Sequence, residues 1–149
     1  KLILIVRNYK ESIPRHKEGK TTLSTLKNSC SSNKSSENYT QMLEYYEYFS
    51  GDKIIIYYED LITKLKPTLK KIINFLGEED KYLESFFNEI EIHKNKSIRI
   101  YGVSQTKGEH INHHSKKMSK QQRKNWDEFI KNNHKNLFDK YLKRYEEDE

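Results

Sequence analysis

The stretch Lys53–Gly77, KIIIYYEDLITKLKPTLKKIINFLG, narrows the folds open to this chain more than any other. Ile54 to Tyr58 is a continuous apolar run rich in β-branched and aromatic residues, the pattern of a strand covered on both faces in a parallel sheet. It stops at Glu59 and Asp60, read as an acidic turn. Leu65, Leu69, Ile72, Ile73 and Leu76 then recur on one helical face, while Pro67 fits a first helical turn and Gly77 a left-handed C-terminal stop. Strand, polar turn and capped helix make half of a βαβ unit. Leu2 to Val6 is a second unbroken aliphatic run, ending at Arg7-Asn8. If the two runs are parallel neighbours, Arg7 and the Tyr58-Glu59-Asp60 turn face one crevice beyond the strands' carboxyl ends, where open α/β sheets collect ligands. A guanidinium there is a planar, permanent cation suited to phosphate or sulfate. The plainer alternative is a strand-end charge paired with Asp60 or Glu59.

Between the strands, Lys10 to Lys20 reads as a basic loop or short helix interrupted by Pro14 and carrying Arg15, His16 and Lys17. Ser29 to Ser36 is small, polar and aperiodic, a surface loop. From Glu37 to Ser50, Tyr39, Met42, Tyr46 and Phe49 fall at helical spacing behind Ser36 as N-cap, giving the crossover helix with its aromatic stripe inward. Leu83, Phe86, Phe87 and Ile90 predict a further amphipathic helix with an acidic first turn. Asn95 to Lys117 has little periodicity, several Lys, and His110, His113 and His114; a segment of this length is expected to be functional or disordered. Ser119 to Gln122 fits a capping box, opening a helix that buries Trp126, Phe129 and Ile130. Leu137, Phe138, Tyr141, Leu142 and Tyr145 continue the apolar spacing, and the tail Glu146 to Glu149 reads as solvated.

At 149 residues the chain is sized for one domain. Hydrophobic and charged residues each make up 34%, so the core is narrow and the eleven Tyr must supply part of it. A net charge of +6 favours anionic partners without choosing among nucleotide, sulfated glycan, nucleic acid and lipid headgroup. Cys30 is the only cysteine, which excludes an intrachain disulfide and a Cys-based zinc site. His110, His113 and His114 lack a Cys or well-spaced carboxylate to complete a metal set, so anion contact with Lys107, Lys116 and Lys117 is the better reading. No run approaches the roughly 18 apolar residues of a membrane span, and a soluble, cytoplasmic chain is the expectation. Walker-type and dinucleotide Gly fingerprints are both missing from the sequence. The first strand starts at the second residue without an initiator Met, as expected of a piece of a longer or processed protein.

Arg7-Asn8 directly after a buried strand, then a strand ending Tyr58-Glu59-Asp60-Leu61 and a helix closing Phe75-Leu76-Gly77, resembles the sulfotransferases that use 3'-phosphoadenosine-5'-phosphosulfate. The resemblance covers about half the chain, and its specific part is the YEDL turn combined with the following helix. It implies an α/β fold in which a P-loop-NTPase-like parallel sheet is flanked by helices in a three-layer sandwich. It further implies that Arg7 contacts the cofactor's 3'-phosphate, that Tyr58 lies near the adenine, and that Lys107 and Gly108 end a basic loop closing over the same phosphate. Thr106 stands where that loop often has arginine. At the position of Arg15 many members have a phosphate-binding serine, so here a charged donor replaces a neutral one.

Family members also begin with a strand and a loop that grips the 5'-phosphosulfate, and they place the catalytic base before the strand matching Leu2–Val6. Neither lies in this chain, so no catalytic base is assigned and these residues alone are not expected to transfer a sulfuryl group. The leading expectation is the C-terminal portion of a sulfotransferase domain, residues 1–149, carrying the 3'-phosphate and adenine side of the site for transfer to a hydroxyl or amine acceptor. Its partners are the nucleotide, that acceptor, and an N-terminal segment or second chain covering the sheet. Alternatives are an inactive sulfotransferase-like module for binding or assembly and, ranked lower, a nucleic-acid binder. The last lacks aromatic and basic residues alternating on one strand face. Made alone, the two-stranded piece is expected to expose an edge and to associate.

Overall fold

A computed structural model of the chain describes residues 1–15, 34–85, 87–88, 113–116 and 118–147. The chain is α/β and divides into two compact units, one formed by Lys1–Val6 with Asp52–Ile111 and the other by Arg7–Gly51 with Asn112–Glu149.

The first unit holds the sheet. β1 (Leu2–Val6) and β2 (Lys53–Tyr57) pair in parallel, with Leu2 opposite Lys53, Leu4 opposite Ile55 and Val6 opposite Tyr57. Leu4, Val6 and Ile56 are buried, whereas Ile5 is 53% exposed. Aliphatic β-branched residues suit this pleated surface, and the register is set by which of them lie under cover.

At Tyr58 the sequence reading needs correction. β2 ends at Tyr57, and Tyr58 is the first residue of helix α3 (Tyr58–Thr63), so the expected acidic turn is a helical one. Glu59 and Asp60 sit in its first turn, where negative side chains complement the exposed N–H groups and helix dipole. Lys64 breaks the helix with φ −133° and ψ 48°, and α4 (Leu65–Leu76) follows with Pro67 in its first turn. Thr68 ties the two helices together: its hydroxyl donates to the carbonyls of Asp60 (3.1 Å) and Lys64 (2.7 Å).

The C-terminus of α4 is closed twice. Gly77 adopts φ 85°, and the N–H groups of Gly77 and Glu78 return to Asn74 and Ile73, the hydrogen-bond pair of a Schellman cap. Lys1 donates its ammonium to the carbonyls of Phe75 (2.7 Å) and Leu76 (2.9 Å), placing a cation where the dipole is negative. Leu83 is buried as expected, while Phe86 and Ile90 lie outside the described residues.

The second unit is helical. It contains α1 (Tyr9–Arg15), α2 (Lys34–Tyr48), α5 (His113–Lys116) and α6 (Lys120–Leu137), then a π-helical turn Phe138–Leu142 and a 3-10 turn Lys143–Tyr145. Pro14 sits within α1 without ending it before Arg15. α2 begins at Lys34, so Ser36 lies inside the helix rather than at its N-cap. Its inward residues are Thr40, Leu43 and Tyr46, and Met42 is 54% exposed. A strict three-four spacing from Tyr39 reaches Leu43 as readily as Met42, and packing chose the former.

α6 opens with the expected capping box. The Gln122 N–H donates to Ser119 Oγ (3.2 Å), and the Ser119 N–H donates to Gln122 Oε1 (2.7 Å). His134, with φ −141° and ψ 46°, kinks the helix. Trp126, Ile130, Phe138 and Leu142 are buried, and Tyr9 meets Tyr145 edge-on at 6.3 Å. A tyrosine-rich core of this kind holds only where each hydroxyl finds an acceptor. Tyr9 donates to Asp127 and Tyr141 to Glu47. Among the described residues no helix is long and apolar enough to cross a membrane.

Candidate functional site

The parallel register determines what leaves the sheet at its carboxyl edge. Val6 and Tyr57 are partners, so β1 and β2 end at the same edge of the sheet. In parallel sheets that edge is where ligands gather.

Arg7 occupies the short link from β1 to α1. The next residue, Asn8, starts the helix: its side-chain oxygen accepts from the Lys10 N–H (2.9 Å), and its carbonyl accepts from the N–H groups of Glu11 (2.9 Å) and Ser12 (3.0 Å). This gives the Arg-Asn pair a physical meaning, since an N-cap immediately behind the arginine turns the chain within two residues of the strand. The Arg7 carbonyl accepts from the Tyr39 hydroxyl at 2.6 Å. Its guanidinium, 18% exposed, lies 3.8 Å from the carboxylate of the fully buried Glu11. Glu11 also accepts from the Ser115 N–H at 2.6 Å. A partly exposed cation with a fixed backbone and a carboxylate brace is suited to engage an oxyanion.

Tyr58, in the other unit, is half-buried at the start of α3. Arg15 is the last residue of α1, and the position of its side chain is outside the described residues, as are Lys107, Gly108, His110 and the side chains of His113 and His114. Of the residues singled out from sequence, Arg7 is described within the helical unit and Tyr58 within the sheet unit.

A buried polar cluster beside Arg7 had no counterpart in the sequence reading. Asp127, 4% exposed, accepts from the Tyr9 hydroxyl, from the Lys10 ammonium at 2.8 Å and from the Glu147 N–H at 2.9 Å. Lys10, 1% exposed, also donates to the Tyr145 carbonyl and faces Glu147 at 3.6 Å. Burial, and then the hydrogen bond to Asp127, push the Tyr9 phenol far above the ordinary tyrosine range. Tyr9 and Lys10 are thus locked inside and serve structure. In the acidic tail, Glu146 pairs with Lys131, whose pKa this contact raises, and Glu147 pairs with Arg123 at 2.9 Å, while residues 148–149 lie outside the described residues. The spacing Asn8-x-x-Glu11 was the available signal for α1. Nothing local marked Asp127, which lies far along the chain.

Taken together, these features define an α/β protein with a small parallel two-stranded sheet and flanking helices. The family assignment is direct: the sulfotransferase domain model matches residues 1–148, and the chain belongs to that family. Sulfuryl transfer is accordingly its class of activity. No curated protein and no solved structure matches the chain.

Proposed function

We propose that this chain carries the 3'-phosphate and adenine side of a 3'-phosphoadenosine-5'-phosphosulfate site, in a protein that transfers the sulfuryl group to a hydroxyl or amine and leaves adenosine 3',5'-bisphosphate. The nucleotide supplies an activated sulfuryl group; this chain's residues bind and orient the non-reacting end. Arg7 takes the 3'-phosphate, Tyr58 takes the adenine face, and Arg15, Lys107 and Gly108 supply the remaining phosphate contacts. The observation that carries the reading is the parallel pairing of β1 with β2, the strands that Arg7 and Tyr58 directly follow in the sequence. The partly exposed guanidinium and the family match support it. The proposed partners are the acceptor and an N-terminal segment or second chain that grips the phosphosulfate and covers the sheet, consistent with the exposed Ile5.

Isothermal titration with adenosine 3',5'-bisphosphate tests this. Binding should be saturable and should weaken by roughly tenfold or more in Arg7→Ala, the loss of a charge-assisted contact. Absence of binding, or affinity indifferent to Arg7→Ala, overturns the assignment.

A further inference from the structure

Resting on the assignment of Arg7 to the 3'-phosphate, we propose that Glu11 is a positioning residue that sets the Arg7 guanidinium for that phosphate and thereby creates the preference for a 3'-phosphorylated nucleotide.

Glu11 is an unusual group to find inside a basic protein: it is 0% exposed, and a buried carboxylate is costly unless its oxygens are engaged. Among the described residues its two oxygens meet two groups. One accepts the Ser115 N–H at 2.6 Å, and the other faces the Arg7 guanidinium at 3.8 Å. Ser115 is itself held, because its carbonyl accepts from Arg123 at 3.1 Å, and Arg123 also donates to the Met118 carbonyl at 2.8 Å. The carboxylate is therefore anchored at its far end, and its free choice of rotamer is removed. Backbone capping by Asn8 places Glu11 in the first turn of α1, one turn along from Arg7.

The longer separation on the arginine side decides the role. At 3.8 Å Glu11 stops short of a tight, bidentate pair with the guanidinium. What it supplies is orientation. A free arginine loses considerable rotamer freedom when it binds an oxyanion, and a neighbour that restricts those rotamers beforehand removes part of that cost.

Affinities for adenosine 3',5'-bisphosphate and adenosine 5'-monophosphate are to be measured on the full chain, on Glu11→Gln, on Arg7→Ala and on the double variant. Glu11→Gln keeps an acceptor for the Ser115 N–H while removing the charge. It should reduce the preference for the bisphosphate about tenfold, leave monophosphate affinity unchanged, and have no further effect once Arg7 is alanine. Glu11→Asp, which keeps the charge but retracts it, should fall between, and a thermal melt of each variant reports folding independently. Equal weakening of both nucleotides, or an effect that persists in the Arg7→Ala background, assigns Glu11 a merely structural role and overturns the proposal. Tighter bisphosphate binding by Glu11→Gln overturns it too, because the carboxylate then competes with phosphate. If Arg7→Ala leaves the nucleotide preference intact, the underlying assignment falls; if Arg7→Ala abolishes it and Glu11→Gln does not alter it, only the role of Glu11 is lost.

Discussion

Removing the Asp127 carboxylate should be among the most damaging single changes in the helical unit. It accepts three hydrogen bonds, from the Tyr9 hydroxyl, the Lys10 ammonium and the Glu147 N–H. Asp127→Ala leaves a lysine that is 1% exposed with, among the described residues, the Tyr145 carbonyl, the Tyr9 ring face at 5.4 Å and the more distant Glu147. Breaking a buried pair from one side typically costs about 3–5 kcal/mol, because the surviving charge stays desolvated. For a chain of 149 residues, where each kcal/mol shifts the midpoint by a few degrees, Tm should fall by roughly 10 °C or more. Urea unfolding followed by circular dichroism reads the loss, with an unchanged m-value showing that the transition itself is the same.

A second variant separates the charge penalty from the packing. Tyr9→Phe/Lys10→Met/Asp127→Leu replaces the polar centre by apolar groups of similar bulk, and it should recover more than half of the stability lost by Asp127→Ala. A loss below about 1 kcal/mol for Asp127→Ala, the value of a solvated surface pair, would refute the reasoning by showing that water reaches the cluster.

Three further outcomes follow from individual sites. Gly77→Ala should cost roughly 1 kcal/mol in chemical denaturation, since φ is 85° there and an alanine methyl would meet Lys1 Nζ at an ordinary 3.7 Å, leaving backbone strain as the cause. Ser119→Ala should cost about 1 kcal/mol by the same measurement through loss of the cap on α6, and Ser119→Asp should restore most of it. The pH dependence has a definite sign at Tyr9. Its folded-state pKa is raised, so its contribution is fully present below the unfolded value near 10 and is lost as pH climbs above that, because the unfolded chain releases the proton first. Unfolding free energy measured from pH 8 to 11 should decline, and decline less steeply in Tyr9→Phe; identical slopes would show that the phenol ionises as readily in the folded protein.

Much of the architecture was legible because local signals and the tertiary packing agree. Two aliphatic runs read as parallel strands, and they pair in parallel; Gly77 reads as a left-handed stop, and it closes a Schellman cap. Ser119 and Gln122 read as a capping box and form both of its hydrogen bonds. Boundaries were less secure where adjacent residues suit two states. Tyr58 has the side chain of a strand residue, yet the acidic pair behind it favours a helical first turn and draws it into α3. On α2, Met42 and Leu43 are both apolar, and only the neighbouring helices decide that Leu43 is buried.

By itself the sequence determined what depends on a few consecutive residues: strand and helix periods, caps and stops, the Arg-Asn and Tyr-Glu-Asp motifs, and through them the sulfotransferase family. These are consequences of backbone geometry and side-chain spacing, which act within a turn or two. Only the tertiary structure decided that Glu11 braces Arg7 while holding Ser115, and that Asp127 gathers Tyr9, Lys10 and the chain end. A carboxylate carries the same charge in either setting. Whether it is a solvated surface group or the buried acceptor of a distant lysine is set by desolvation and by which residues folding delivers to it, and neither is encoded in its immediate neighbours.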